Sequence, residues 1–130
     1  MVKFLVKYSL GERTMNREDR FEYLASLQDG WFEGDGFAID PSIIDHAKHF
    51  IKEYNEDFYN KKLGDPGIFP TFFGGISIEW ATPQVEIEYL RRGDQTIVIE
   101  LFESEKDEKN CLTVFDLDNY KELLARISTI

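Results

Sequence analysis

Three stretches in the second half of the chain alternate apolar and polar residues with a period of two: 76–80 (Ile76, Ser77, Ile78, Glu79, Trp80), 85–89 (Val85, Glu86, Ile87, Glu88, Tyr89) and 97–101 (Ile97, Val98, Ile99, Glu100, Leu101). This is the period of a half-buried strand. Paired consecutively, they place Ile76, Ile78, Trp80, Val85, Ile87, Tyr89, Ile97, Ile99 and Leu101 on one face. Glu79, Glu86, Glu88 and Glu100 then share the other. A last strand over 111–115 is expected to add Leu112 and Val114 to the apolar face. Residues 2–10, with Val2, Phe4, Val6, Tyr8 and Leu10 against Lys3 and Lys7, predict a further strand that Gly11 ends.

Helical spacing appears elsewhere. Asn16 is placed to cap a helix running to about Gln28, with Phe21, Leu24, Ala25 and Gln28 on one side. Asp40 as N-cap and Pro41 at the first helical position open a second helix. Its apolar stripe is Ile43, Ile44, Ala47, Phe50, Ile51 and Tyr54. It ends before the breaker cluster Gly64-Asp65-Pro66-Gly67. Asp118 is placed to cap a closing helix with Tyr120, Leu123, Leu124 and Ile127. Pro70 and Gly74-Gly75 bracket a short edge piece; turns fall near Thr82-Pro83 and Arg92-Gly93-Asp94; a charged loop spans 103–110. A run of strands with helices to one side in sequence predicts an α+β fold: one domain over 1–130, an antiparallel meander of about five strands with two to three helices packed on one face.

Charge sharpens the picture of the glutamate face. The chain of 130 residues carries a formal net charge of −10, unevenly spread. Residues 1–20 sum to +2, whereas the remainder holds ten Lys/Arg against 22 Asp/Glu. Direct nucleic-acid binding requires a basic surface to neutralise phosphates, and anionic membranes require the same, so both partners are excluded for the bulk of the domain. A basic protein suits such a field. Solubility alone also accounts for acidic charge. The single cysteine, Cys111, precludes an internal disulfide. The lysine-broken start is not a secretory signal, and no stretch reaches the ~18 apolar residues of a membrane span. A cytoplasmic protein is expected.

Candidate chemistry is sparse. Paired carboxylates serve as acid and base in glycoside cleavage or hold divalent cations, but an open sheet face supplies no cleft to separate two pKa values. His46, His49 and Glu53 share a stripe of the second helix, although His-x-x-His is not the zinc-protease spacing. The 29–36 loop has Asp29, Glu33 and Asp35 among three glycines, yet lacks both the calcium-loop pattern and the Lys-Ser/Thr of a phosphate loop. Its expected role is architectural, with Trp31 and Phe32 entering the core. Cys111 has no base nearby in sequence and reads as a small core residue. No cofactor, metal or catalytic residue is assigned.

Gly30-Trp31-Phe32-Glu33-Gly34-Asp35-Gly36, the Pro41 helix, and Phe69-Pro70-Thr71 followed by Gly74-Gly75-Ile76-Ser77-Ile78-Glu79-Trp80 form a second kind of signal. Over about 29–80 the chain resembles small bacterial or phage accessory proteins with a Gly-Trp-x-Asp/Glu-Gly-x-Gly loop and a Tyr-Pro-Thr…Gly-Gly-x-x-x-Glu-Trp strand. It departs from them at Phe69, where Tyr is expected, and at Phe72-Phe73, where the pattern is more polar. The resemblance implies a binding role near mobile or defence-related genes, and no catalytic residue. The leading expectation is a non-catalytic inhibitor of a basic, nucleic-acid-binding protein, of the anti-CRISPR, antitoxin or immunity type. Its carriers would be Glu79, Glu86, Glu88 and Glu100, extended by Glu103, Glu105, Asp107 and Glu108. The alternatives are a small metal-dependent hydrolase using the carboxylates or the histidine stripe, and a structural subunit that buries Phe72, Phe73 and Phe102 in an oligomer.

Overall fold

A computed structural model of the chain describes residues 17–56, 64–80, 85–104 and 110–128. The strand expected over 2–10, the Asn16 cap and the Thr82-Pro83 turn lie outside them. The element order is α1 (Arg17–Ser26), α2 (Pro41–Glu56), β1 (Gly67–Pro70), β2 (Ile76–Trp80), β3 (Val85–Arg91), β4 (Ile97–Ser104), β5 (Asn110–Asp116), a 3-10 turn (Leu117–Asn119) and α3 (Tyr120–Ser128). The strands form one sheet in sequential order, antiparallel throughout. The fold is α+β, a meander with helices on one face.

The core is the meeting of that face with the helices. Ile76, Ile78, Trp80, Val85, Ile87, Tyr89, Ile99 and Leu101 from the sheet are buried against Ile43, Ile44, Ala47, Phe50, Ile51 and Tyr54 of α2. Phe21 and Leu24 of α1, and Leu123, Leu124 and Ile127 of α3, complete the cluster. Ala25 and Gln28, expected on the apolar side, are exposed; α1 ends at Ser26 and turns Phe21 and Leu24 to the core. Its Arg20 is buried instead, donating from Nε to the Ile68 carbonyl at 2.6 Å and lying over the Phe69 ring. In the centre, Trp80 Nε1 donates to Tyr54 Oη at 3.2 Å, and Tyr54 Oη donates to the Gly64 carbonyl at 2.9 Å. Their polar atoms are thereby satisfied inside an otherwise apolar layer.

Two devices fix where the elements start. Asp40 caps α2, its Oδ1 accepting from the Ser42 N–H at 2.9 Å, while Oδ2 accepts from Arg91 Nε at 2.7 Å. Its own N–H donates to the Gly74 carbonyl at 2.9 Å. One residue thus joins the helix start, the end of β3 and the turn before β2. The Arg91 hydrogen bond holds the Asp40 carboxyl below the usual carboxylate range. The second device is the Thr71–Gly75 turn, closed by Thr71 N–H to the Gly75 carbonyl at 3.0 Å and Gly75 N–H to Thr71 Oγ1 at 2.9 Å. Gly74 sits at φ +80°, and a Cβ on Gly75 would overlap the Tyr89 carbonyl oxygen.

Two expected local features differ. Asp118 does not cap the closing helix; it lies within the 3-10 turn, and α3 begins at Tyr120. Leu117 and Tyr120 both pack on the core, so the chain winds tightly before the α-helix starts. Trp31 and Phe32 do not enter the core. The loop closes on itself through Gly30 N–H to the Gly36 carbonyl at 2.7 Å and reciprocal Phe32–Asp35 bonds. Trp31 then lies against Gly36, donates from Nε1 to the Phe37 carbonyl at 2.8 Å, and meets Phe72 edge-on at 5.6 Å.

Gly75→Ala is expected to destabilise by about 3 kcal/mol, at the upper end of overpacking costs, because its obstacle is backbone. Gly93→Ala, with open space at its Cβ, is expected to stay within about 0.5 kcal/mol of wild type in the same denaturant titration. Asp40→Asn keeps a capping oxygen but removes the ion pair, so it isolates the Arg91 contact. The folded carboxyl is lowered, so its stabilisation is present above the unfolded value of about 3.9 and disappears as pH falls through the folded value. The difference in melting temperature between wild type and Asp40→Asn should therefore be present at pH 6 and shrink below about pH 4. A gap independent of pH contradicts this account.

Candidate functional site

The face of the sheet opposite the helices is built by the same registers that build the core. Glu79 pairs with Glu86 across β2–β3, and Glu88 pairs with Glu100 across β3–β4. The first row continues from Glu86 to Phe102 and Leu112; the second runs Phe69, Ser77, Glu88, Glu100, Val114. The four glutamates expected to stand together do so, each half-buried. Ser77 is fully buried between them, its hydroxyl 2.9 Å from Glu79 Oε2 and 3.4 Å from Glu86 Oε2. A hydroxyl has one proton, so it serves only one carboxylate at a time as donor. Carboxylates directly opposite one another destabilise a sheet.

The face is concave at its centre. A hollow of about 180 Å³ is lined by Glu86, Glu88, Glu100, Phe102 and Leu112. Three carboxylates with one aromatic and one aliphatic wall suit a cationic group on an apolar stem. Phe102 and Leu112 escape sequence reasoning as members of this site. For Phe102 the signal is present: it is out of phase with Ile99 and Leu101 and so must point with Glu100.

Leu112 and Val114 do not join the covered face. They stand opposite Phe102 and Glu100, 55% and 41% exposed. The phase of β5 is set by Phe115, which packs on the core opposite Ile99. Glu103 is also displaced from its expected place. β4 extends to Ser104, so the alternation continues past Leu101 and turns Glu103 to the helix side, 7% exposed. There Arg126 of α3 donates from Nη2 to Glu103 Oε2 at 2.8 Å. Glu103 is neutralised on the opposite face and does not extend the acidic field. Glu105, Asp107 and Glu108 lie outside the described residues.

The remaining candidates resolve into structure. His49 and Glu53 both meet Tyr120: the phenol donates to Glu53 Oε1 at 3.1 Å and lies 3.2 Å from His49 Nε2. Desolvation, then the hydrogen bond to Glu53, raises the Tyr120 phenol above its ordinary range. The stripe therefore docks α3 on α2, while His46 is exposed. Cys111 falls in β5, paired with Glu103. Among the described residues, no three His, Cys, Asp or Glu side chains are grouped to hold a metal ion. Also among them, no helix is long and apolar enough to cross a membrane. Of the aromatics considered for an oligomer contact, Phe72 is half-buried in the Trp31–Phe32 cluster and Phe102 lines the acidic hollow, whereas Phe73 is 89% exposed.

Arg126→Ala leaves the Glu103 carboxylate buried without this partner. It is expected to lower stability by about 1–3 kcal/mol, whereas Arg126→Lys should recover part of it. Equal stability of Arg126→Ala and wild type in urea would show that the pair contributes nothing.

Comparison with family models, with curated proteins and with solved structures gives no match for this chain.

Proposed function

We propose that the protein is a non-catalytic interaction module whose glutamate face binds a basic protein. The favoured partner class is a nucleic-acid-binding protein whose groove the acidic face occupies in place of phosphates, in the manner of a phage anti-defence protein, an antitoxin or an immunity protein. One observation carries the reading. Two pairs of carboxylates, Glu79–Glu86 and Glu88–Glu100, stand directly opposite one another on one face, and Glu86, Glu88 and Glu100 line its hollow. Acidic side chains grouped beside an apolar wall suit the cationic, long-stemmed side chains of a basic partner. The net charge of −10 reinforces the same field and speeds encounter with a cationic partner.

Glu100→Lys separates function from mere solubility. The introduced ammonium would face Glu88, so stability should rise by roughly 0.2–1 kcal/mol. Partner binding should fall at the same time. The double variant Glu86→Lys/Glu88→Lys should abolish binding with the circular dichroism spectrum intact. The assay is capture from a bacterial lysate with the partner identified, then titration of that purified partner. The expected partner is basic, released by salt, and competed off by duplex DNA or by RNA. A partner held equally by wild type and the double variant, at low and high salt, overturns the reading.

A further inference from the structure

Phe37 and Phe73 are the two exposed aromatic side chains among the described residues, at 58% and 89%. They come from separate stretches of chain that lock together. The Phe37 N–H donates to the Phe72 carbonyl at 2.9 Å, and a Cβ on Gly74 would stand 2.9 Å from the Ala38 carbonyl oxygen. The Phe37 carbonyl accepts from Trp31 Nε1, and the Ala38 N–H donates to Asp29 Oδ1. In the same two stretches the Trp31, Phe32 and Phe72 rings pack on one another, with centroids 5.5 to 6.0 Å apart. Backbone held this way presents Phe37 and Phe73 without the ordering cost of a free loop.

The setting of the two rings is acidic. Asp29, Glu33 and Asp35 are exposed in the loop that leads to Phe37. Segments 29–38 and 71–75 contain no lysine, arginine or histidine. Among the described residues, none of the three carboxylates is in an ion pair. This end of the molecule is where α2 and β2 begin, at Asp40 and beside Gly75, and where β3 ends at Arg91, bonded to Asp40. Residues 57–63 and 81–84 follow the opposite ends of α2 and β2, and 105–109 follow the end of β4 that pairs with the start of β3. A helix of 16 residues is about 24 Å long and a strand of five about 17 Å. None of these three segments joins the chain near Phe73.

We propose that Phe37 and Phe73, with Asp29, Glu33 and Asp35, form a second docking surface, for a protein segment that carries arginine or lysine among apolar residues. Apolar side chains rimmed by polar ones mark protein contacts, and a few aromatics carry most of the energy of such contacts. Arginine suits both parts of the surface, since its guanidinium stacks on an aromatic face and bonds a carboxylate through two N–H groups. A second copy of this chain is the poorer occupant, because it would bring the same unneutralised carboxylates against the first. Nucleic acid and anionic lipid meet the same repulsion. None of these residues lines the glutamate hollow, so the proposal does not rest on the reading above.

The probe is a displayed library of random dodecapeptides, selected on the immobilised full-length protein. Enriched peptides should combine apolar residues with arginine or lysine. Their binding, measured by fluorescence anisotropy, should weaken at least tenfold in Phe73→Asp. Glu33→Gln/Asp35→Asn should weaken it several-fold and flatten its salt dependence. Glu86→Lys/Glu88→Lys should bind these peptides as wild type does. Peptides lost in that variant but kept by Phe73→Asp would overturn this proposal and favour the glutamate face instead. No enrichment over a blank surface, or enriched peptides without cations, also overturns it. Phe73→Asp should melt with the wild type; a clear fall would show that the chain itself covers Phe73, against the proposal. A wild-type dimer in sedimentation that Phe73→Asp dissociates would assign the surface to a second copy and overturn it too.

Discussion

The burial of the isoleucine-rich sheet face against α2 is the interaction on which the rest of the molecule depends. Ile76, Ile78, Trp80, Val85, Ile87, Tyr89, Ile99 and Leu101 are all at most 3% exposed. Full burial of one such side chain is worth about 1.5–3 kcal/mol, whereas a like-charge pair across a sheet costs at most about 1 kcal/mol. A slip of one residue would reverse every side chain on the slipped strand. The apolar term therefore dictates the register, and the register leaves Glu79 opposite Glu86 and Glu88 opposite Glu100. The acidic face is not a separate construction. It is the other side of the core, and its crowding follows from residues that never touch it.

This dependence explains how much is legible in the sequence. Where one parity is apolar and the other charged, as in 85–89, the strand, its register and its face follow from the pattern alone. β5 offers no such contrast. Leu112 and Val114 alternate with Cys111, Thr113 and Phe115, so both parities are admissible, and the choice falls to tertiary contacts around Phe115, Leu117 and Tyr120. Glu103 fails for a related reason. Its alternation with Leu101 is visible, but its partner is Arg126, 23 residues away on α3. Nothing local announces that a carboxylate at the end of β4 has a cation waiting on the covered side. Composition points Trp31 and Phe32 to the core, yet the hydrogen bonds that close the 29–36 loop on itself are backbone bonds, which side-chain patterning does not encode.

The histidine stripe shows the same limit from the other direction. His49 and Glu53, four residues apart on one helix face, read as candidate ligands only while Tyr120 is out of view. Once α3 is in place, its phenol occupies the position a ligand would take. The two side chains serve the packing of two helices. A stripe of polar residues beside an apolar one marks the border of a helix contact as readily as a metal site, and sequence spacing does not distinguish them.

The same dependence on the core shapes the two ends of the described sheet, which differ from one another. Exposed strand edges template unwanted pairing, and proteins ordinarily blunt them with proline, lysine or a covering element. The β1 edge has Pro70 and Arg20; β5 has seven residues free of both proline and positive charge. At the β5 end the parity that Phe115 sets turns Leu112 and Val114 outward, opposite Phe102 and Glu100. Two exposed apolar side chains thus stand next to the glutamate rows because Phe115 is needed on the other side, so the make-up of this face, like its register, is decided from the core.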